Sequence, residues 1–225
     1  MDLLAIGLVV FSAVLHAGWN ILGKSNSGSG LAFTMAASFS ACAILTPYLI
    51  WYLATIGWTS LPSEFWGLLF ISGISQMVYL VGLIAAIGTT GYSVVDKEAL
   101  SLLTEQASEI LSDHYSAIFY LGVQFWAIGI PALVWCLVTG KSGEIKTAWQ
   151  IRKTASMAGV MMASTYGLVL FAMTMTDNVS LVVALRQISI VFGLFMGIYF
   201  LGEKWCLTRS VGITLMITGL IHALK

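Results

Sequence analysis

Charge is scarce in this chain of 225 residues: ten Lys/Arg and ten Asp/Glu make up 9% of it. An average soluble domain is about 25% charged, and so few ionised side chains cannot coat a soluble particle of 24.2 kDa. With 59% apolar or aromatic residues and a mean hydropathy of +0.93, the composition excludes a soluble globular enzyme, a disordered chain and a nucleic-acid-binding module. A polytopic membrane protein remains. An excess of either sign is lacking too: the formal net charge is zero and the pI about 6.8, so no large polybasic surface is implied. Cysteine is equally sparse. Cys42, Cys136 and Cys206 lie far apart, form no Cys-x-x-Cys and have no His at metal spacing, which argues against a disulfide framework or a zinc site. No basic segment precedes the first apolar run, which continues to about Leu22. That is longer than the core of a signal peptide, so a retained span is expected.

Motifs for chemistry are missing as well. The apolar runs contain no His-Glu-x-x-His, Gly-x-Ser-x-Gly or paired carboxylates, so an intramembrane enzyme is not expected, nor any cofactor. Gly18 to Ser25 formally spells the phosphate-loop pattern. It ends an apolar helix and enters a Ser/Gly turn, whereas phosphate binding needs a strand before the loop and a helix opening after it. Without an ATP site, any transport would be driven by a gradient. A retinal Schiff base needs a lysine deep in the last span, and that span has only Lys225 at its end.

What the chain does have is apolar length. At roughly 28 residues per span and connection, seven or eight spans fit. Seven runs qualify: residues 3–22, 31–56, 65–88, 116–139, 155–176, 179–201 and 205–224. They are continuous and do not alternate with period two, so helices are expected. Trp51, Trp58, Trp66, Trp126, Trp149 and Trp205 fall near the expected ends, as an interfacial aromatic belt would. Residues 92–111 resist assignment, because Asp96, Lys97, Glu98, Glu105 and Glu109 lie within them. A charge at the bilayer centre costs about 2.5–3.5 kcal/mol even on the lenient insertion scale, so this stretch either lies in the interface or lines a polar cavity. Lys141, Lys146, Arg152 and Lys153 make the densest basic loop, which places that loop on the cytoplasmic side.

An internal echo bears on the same stretch. Tyr79, Ala85, Ser93 and Val95 are matched at an offset of 87 residues by Tyr166, Ala172, Ser180 and Val182. Transporters are often built from inverted repeats with substrate bound between the halves. Inversion needs an odd number of spans between equivalent helices, which favours residues 92–111 entering the membrane.

Polar side chains inside spans are the informative ones. Ser12, His16, Trp19, Asn20 and Gly23 share one helical face; so do Ser72, Ser75, Gln76 and Tyr79. Arg186 and Ser189 lie along another, with Gln187 beside it. These faces either converge on a wet cavity or hydrogen-bond helices together at about 0.6 kcal/mol each. Arg186 stands about 10 Å inside its span at 1.5 Å per residue, deep enough to suggest function rather than snorkelling. Ala155, Gly159, Ala163 and Gly167 recur every four positions and allow close helix packing.

The segment Leu15-His16-Ala17-Gly18-Trp19-Asn20, with Lys24, resembles the opening of drug/metabolite transporter proteins with EamA-type repeats. Ala184-Leu185-Arg186-Gln187-x-Ser189, running on to Leu201-Gly202-Glu203-Lys204 and a final Gly-spaced helix, resembles the last two helices of that family's second repeat. Gly91-Tyr92-x3-Asp96-Lys97 is similar to the place where a second repeat begins. The resemblance implies two inverted five-helix halves that move small solutes such as amino acids, sugars or drugs across the cell membrane. This chain is shorter by about two helices, and the deficit falls around residues 90–115. The expected fold is therefore an all-α polytopic membrane protein of seven or eight transmembrane helices, with an incomplete first repeat over residues 1–91 and a second over 92–225. His16, Trp19 and Asn20 would contact substrate or protons. Gln76, Tyr79 and Gln187 would bind substrate, and Arg186 would pair with an anionic group or with Asp96. The expected partners are the small-molecule substrate and the lipid bilayer. The alternative is a non-transporting membrane subunit, which needs a second copy or a partner to supply the missing helices.

Overall fold

A computed structural model of the chain describes residues 3–25, 29–80, 85–176 and 179–223. Its described residues are organised as ten helical segments: α1 Leu3–Ser25, α2 Gly30–Ile56, α3 Ser63–Leu80, α4 Ala85–Ala107, α5 Asp113–Val138, α6 Ser142–Gln150, α7 Arg152–Thr174, α8 Val179–Arg186, α9 Ile188–Leu201 and α10 Leu207–Ala223. Five stretches are long and apolar enough to cross a membrane: α1, α2, α5, α7 and the rod Leu181–Leu201 formed by α8 and α9. This is the arrangement of a multi-pass helical membrane protein.

The count of unambiguous spans is thus five among the described residues, not seven or eight, for local reasons. The described part of α3 ends at Leu80 and carries Ser72, Ser75 and Gln76, while residues 81–84 lie outside the described residues. α4 carries Asp96, Lys97, Glu98 and Glu105. α10 has only 17 residues. Two other expectations are corrected. The basic stretch read as a loop folds into α6, because Ala148 and Ile145 give it an apolar side to lay on the bundle. Trp126 sits in the middle of α5 rather than at a span end, where its indole N–H donates to Thr46 Oγ1 at 3.1 Å.

Caps and breaks follow local chemistry. Ser29 caps α2 by accepting from the Ala32 N–H at 3.1 Å. Gly202, at φ +64°, ends α9 in the left-handed region that glycine tolerates best. Pro131 lies inside α5 and has no N–H to offer the carbonyl of Ala127 one turn earlier. That carbonyl lies at the crossing with α3, where a Cβ on Gly73 would stand 2.5 Å from it. Likewise a Cβ on Gly159 of α7 would stand 2.5 Å from the carbonyl of Ala37 in α2. These two glycines let backbones approach where side chains would hold them apart.

α1 packs on α7 and α9, α2 on α5 and α7, and α3 on α4 and α5. α4 is therefore a member of the bundle and not an appendage. Its Tyr92, Asp96, Ala99, Leu100, Leu103 and Ala107 are buried, while Glu98, Ser101 and Glu105 are exposed. The ammonium of Lys97 donates to the carbonyls of Met173 and Thr176 at 2.9 and 3.3 Å. It satisfies acceptors left open at the end of α7 and ties the two helices together.

Candidate functional site

The charged stretch that fits no lipid-facing span supplies the centre of the site. Tyr92 and Asp96 lie one turn apart on α4, and Asp96 has no exposed surface at all. A carboxylate accepts and never donates, so it survives burial only where donors converge on it. Three helices deliver them. Ser72 on α3 and Tyr120 on α5 donate to Asp96 Oδ1, the latter at 2.7 Å, and Tyr166 on α7 donates to Oδ2. Each side of the network has a further layer. Gln124 Nε2, one turn after Tyr120, donates to Ser72 Oγ at 2.7 Å. Gln76 Nε2, one turn after Ser72, donates to the Tyr166 hydroxyl at 3.0 Å. Two parallel relays therefore run from amide to hydroxyl to carboxylate, every bond pointing toward Asp96.

Arg186 closes the other side. It is the last residue of α8, and the rod breaks at the following Gln187. There the helical hydrogen bonds tighten to i→i−3: Gln187 N–H to Ala184 O at 3.1 Å and Ile190 N–H to Gln187 O at 2.9 Å. Discontinuous helices of this kind form binding sites in many transporters. Arg186 Nη1 donates to the Tyr92 hydroxyl at 2.8 Å. Its guanidinium lies 5.6 Å from the Tyr92 ring centre and 6.0 Å from that of Tyr166, within cation–π reach of both. Tyr166 thus stands between the two charges, its hydroxyl on Asp96 and its ring beside Arg186.

His16, Trp19, Gln76, Tyr92, Gln124, Thr165, Tyr166 and Arg186 all line one small cavity of about 40 Å³. That is room for about three waters or a small polar group. Three buried polar atoms on its wall have no hydrogen-bond partner: His16 Nδ1, Gln124 Oε1 and Thr165 Oγ1. A buried polar atom left unpaired costs about 1–3 kcal/mol, so these three are the atoms from which a ligand would gain most. Outside the cavity a groove of about 890 Å³ runs between α1, α8, α9 and α10. The two spaces share His16, Tyr92 and Arg186 as a common wall. Lys24 and Glu203, both lining the groove, are paired at 3.4 Å.

Of the residues expected from sequence, His16, Trp19, Gln76 and Arg186 meet at the cavity, and Asn20 and Gln187 line the groove. Asn20 turns its amide N–H back onto the carbonyl of His16 at 2.9 Å. Tyr79 is on α3, but its side chain lies outside the described residues. Ser12 and Ser75 bond only to carbonyls of their own helices and take no part. Sequence reasoning did not assign Tyr92, Tyr120, Gln124, Thr165 or Tyr166 to the site. The available signal was the i, i+4 spacing of Tyr120 and Gln124 within an otherwise apolar run. Among the described residues, no group of three or more His, Cys, Asp or Glu side chains comes together as a metal site would require. Comparison with protein-family models, with curated proteins and with solved structures gives no match.

Proposed function

We propose that the protein is a secondary-active transporter of a small polar or amphipathic metabolite, built as a reduced member of the drug/metabolite transporters with EamA-type repeats and resident in the cell membrane. One observation carries the reading: a small, partly open cavity whose wall holds three unpartnered hydrogen-bonding atoms and which shares Arg186, at a helix break, with a larger groove. Bundle stability alone gives no reason to hold a carboxylate, a guanidinium and three unpaired polar atoms together, since buried polar groups cost more than apolar packing unless satisfied. In this reading eight elements enter the membrane: α1, α2, α3, α4, α5, α7, the α8–α9 rod and α10. α3 and α7, which carry the matched Tyr79 and Tyr166, are then three elements apart, the odd number that inversion requires. Arg186 receives an anionic group of the substrate. Gln124 Oε1 accepts from a donor group of the substrate, Thr165 Oγ1 and His16 Nδ1 bond its other polar atoms, and movement of the Tyr92–Arg186 pair opens the cavity to the groove.

The test is reconstitution into liposomes and uptake of a panel of labelled amino acids, sugars and small organic anions under imposed proton or sodium gradients. Flux of at least one solute is expected, with loss in Arg186→Gln. No flux under any gradient refutes transport, and undiminished flux in Arg186→Gln removes that residue from the mechanism. A second reading is a subunit that borrows its missing helices. It is favoured by the outer face of α9 and α10, where Phe195, Tyr199, Phe200, Leu207 and Leu215 are exposed. It predicts co-purification with a second copy or another small membrane protein.

A further inference from the structure

A second pocket shares no lining residue with the cavity at Arg186 and has a different chemistry. It opens where α6 lies across α2, α5 and α7, and its volume is about 840 Å³. Its floor is apolar: Ala36 and Ala43 of α2, seven residues apart on one face, and Leu133 of α5. The hydroxyls in the wall do not change that. Ser40 Oγ donates to the Ala36 carbonyl at 2.8 Å and lies 3.1 Å from Ser156 Oγ, so the pair is satisfied within the protein. The rim is cationic and aromatic. Lys146, Trp149 and Arg152 line it, and all three are exposed. Arg152 holds its guanidinium 4.8 Å from the Trp149 ring centre and spends one donor on the Trp149 carbonyl at 2.9 Å, which leaves most of its five N–H groups available. The acid of α6, Glu144, is engaged by the Ser29 hydroxyl. Lys141 and Lys153 add positive charge close by in the chain.

Position decides the occupant. α6 joins the end of one spanning helix, α5, to the start of another, α7, and so lies at the level where the hydrocarbon meets water. A cleft that is apolar inside and cationic at that level matches an amphiphile with a negative head and a hydrocarbon tail. Basic pockets between spanning helices bind anionic lipid headgroups by this complementarity. We propose that this cleft is a binding site for one anionic phospholipid, its phosphate held by Lys146 and Arg152 and an acyl chain laid along α2 between Ala36 and Ala43. The site is independent of the transport reading and stands or falls separately from it.

Native mass spectrometry of the delipidated protein in detergent tests it, with phosphatidylglycerol and phosphatidylcholine of matched chains as probes. The expected result is one retained phosphatidylglycerol, bound at least about tenfold more tightly than phosphatidylcholine. The double variant Lys146→Gln, Arg152→Gln should weaken phosphatidylglycerol about tenfold, abolishing most of its preference, and leave phosphatidylcholine unchanged. Both substitutions are at exposed positions and spare the core. Ala43→Phe, which fills the floor, should weaken both lipids while the elution profile stays monodisperse. Equal retention of the two lipids, an unchanged double variant, or displacement of phosphatidylglycerol by inorganic phosphate would each overturn the proposal.

Discussion

Replacing Asp96 tests whether the polar network holds the bundle together or is merely tolerated by it. Asp96→Ala removes the common acceptor of Ser72, Tyr120 and Tyr166. Hydrogen bonds to a charged group are worth about 1.5–3 kcal/mol each in soluble proteins, whereas those inside membrane bundles average about 0.6 kcal/mol. Against either figure stands the relief of no longer burying a carboxylate, several kcal/mol. The deciding term is what the donors do next. Ser72 and Tyr166 each already accept from an amide, Gln124 and Gln76, so neither amide can become their new acceptor without turning over. At least two hydroxyls are then left unpaired, at about 1–3 kcal/mol each, and the net cost is about 2–4 kcal/mol. At about 2–4 °C per kcal/mol for a chain of this size, the melting temperature should fall by roughly 5–15 °C. Asp96→Asn keeps one acceptor oxygen and orphans fewer hydroxyls, so it should lose less than half as much. The assay is the monodisperse fraction after heating, read by size exclusion in detergent. An alanine variant that melts within about 2 °C of the parent would refute the reasoning, as would an asparagine variant that melts below the alanine one.

Three further outcomes follow from the geometry. Gly73→Ala and Gly159→Ala each drive a Cβ to 2.5 Å from a backbone carbonyl of a neighbouring helix and should cost about 1–3 kcal/mol. Gly18→Ala meets only the mobile end of Met161 and should melt near the parent, and a common loss in all three would contradict the packing. In a background without native cysteine, a cysteine at Ser101 or Glu105 should react with a soluble maleimide and one at Leu103 or Ala99 should not, since α4 exposes the first pair and buries the second. Uniform reactivity would remove α4 from the bundle. Lys97→Met frees the carbonyls of Met173 and Thr176 and should cost about 0.3–1 kcal/mol, seen as faster amide exchange at the end of α7 with little change elsewhere.

The helical membrane class was legible in the sequence because it rests on sums: few charges, long apolar runs and tight polar breaks. The first span was legible for the same reason, and with it His16 and Trp19. Period alone could not rank the polar faces. Ser12, His16 and Asn20 share a face by spacing, yet Ser12 and Asn20 satisfy themselves on their own helix while His16 Nδ1 remains open toward the cavity. The residues 92–111 were read as a conflict between charge and repeat. The resolution is an amphipathic α4 that buries Asp96 and exposes Glu98 and Glu105. That outcome depended on donors from α3, α5 and α7, which are 24, 24 and 70 residues away. Tyr120 is marked in the sequence only by its i, i+4 spacing to Gln124 and Tyr166 only by its match to Tyr79, and neither signal points to a carboxylate on another helix.

The network also constrains how the cavity can open. Tyr166 donates to Asp96 and accepts from Gln76, and its ring flanks both Tyr92 and Arg186. A ligand anion that draws Arg186 off the Tyr92 hydroxyl therefore disturbs the same tyrosine that holds α7 to the carboxylate on α4. A ligand can shift a conformational equilibrium only by its difference in affinity for the two states, and here that difference has a structural source. On the transport reading we propose, an Arg186–ligand charge pair would replace the weaker Arg186–Tyr92 bond, while the Asp96 bonds to Ser72 and Tyr120 would keep α3, α4 and α5 together as one block. On the same reading the moving part would be α7 with the α8–α9 rod and α1, against a block of α3, α4 and α5. Asp96 Oδ1 would then hold the block together, and Oδ2, through Tyr166 and alongside the Lys97 and Gln76 bonds to α7, would join it to the part that moves. On this division Tyr166→Phe, which orphans Gln76 Nε2 as well as Asp96 Oδ2, should lower the melting temperature at least as much as Tyr120→Phe and lose more of any solute flux. The reverse order in both assays would show that the dividing line has been drawn through the wrong helix.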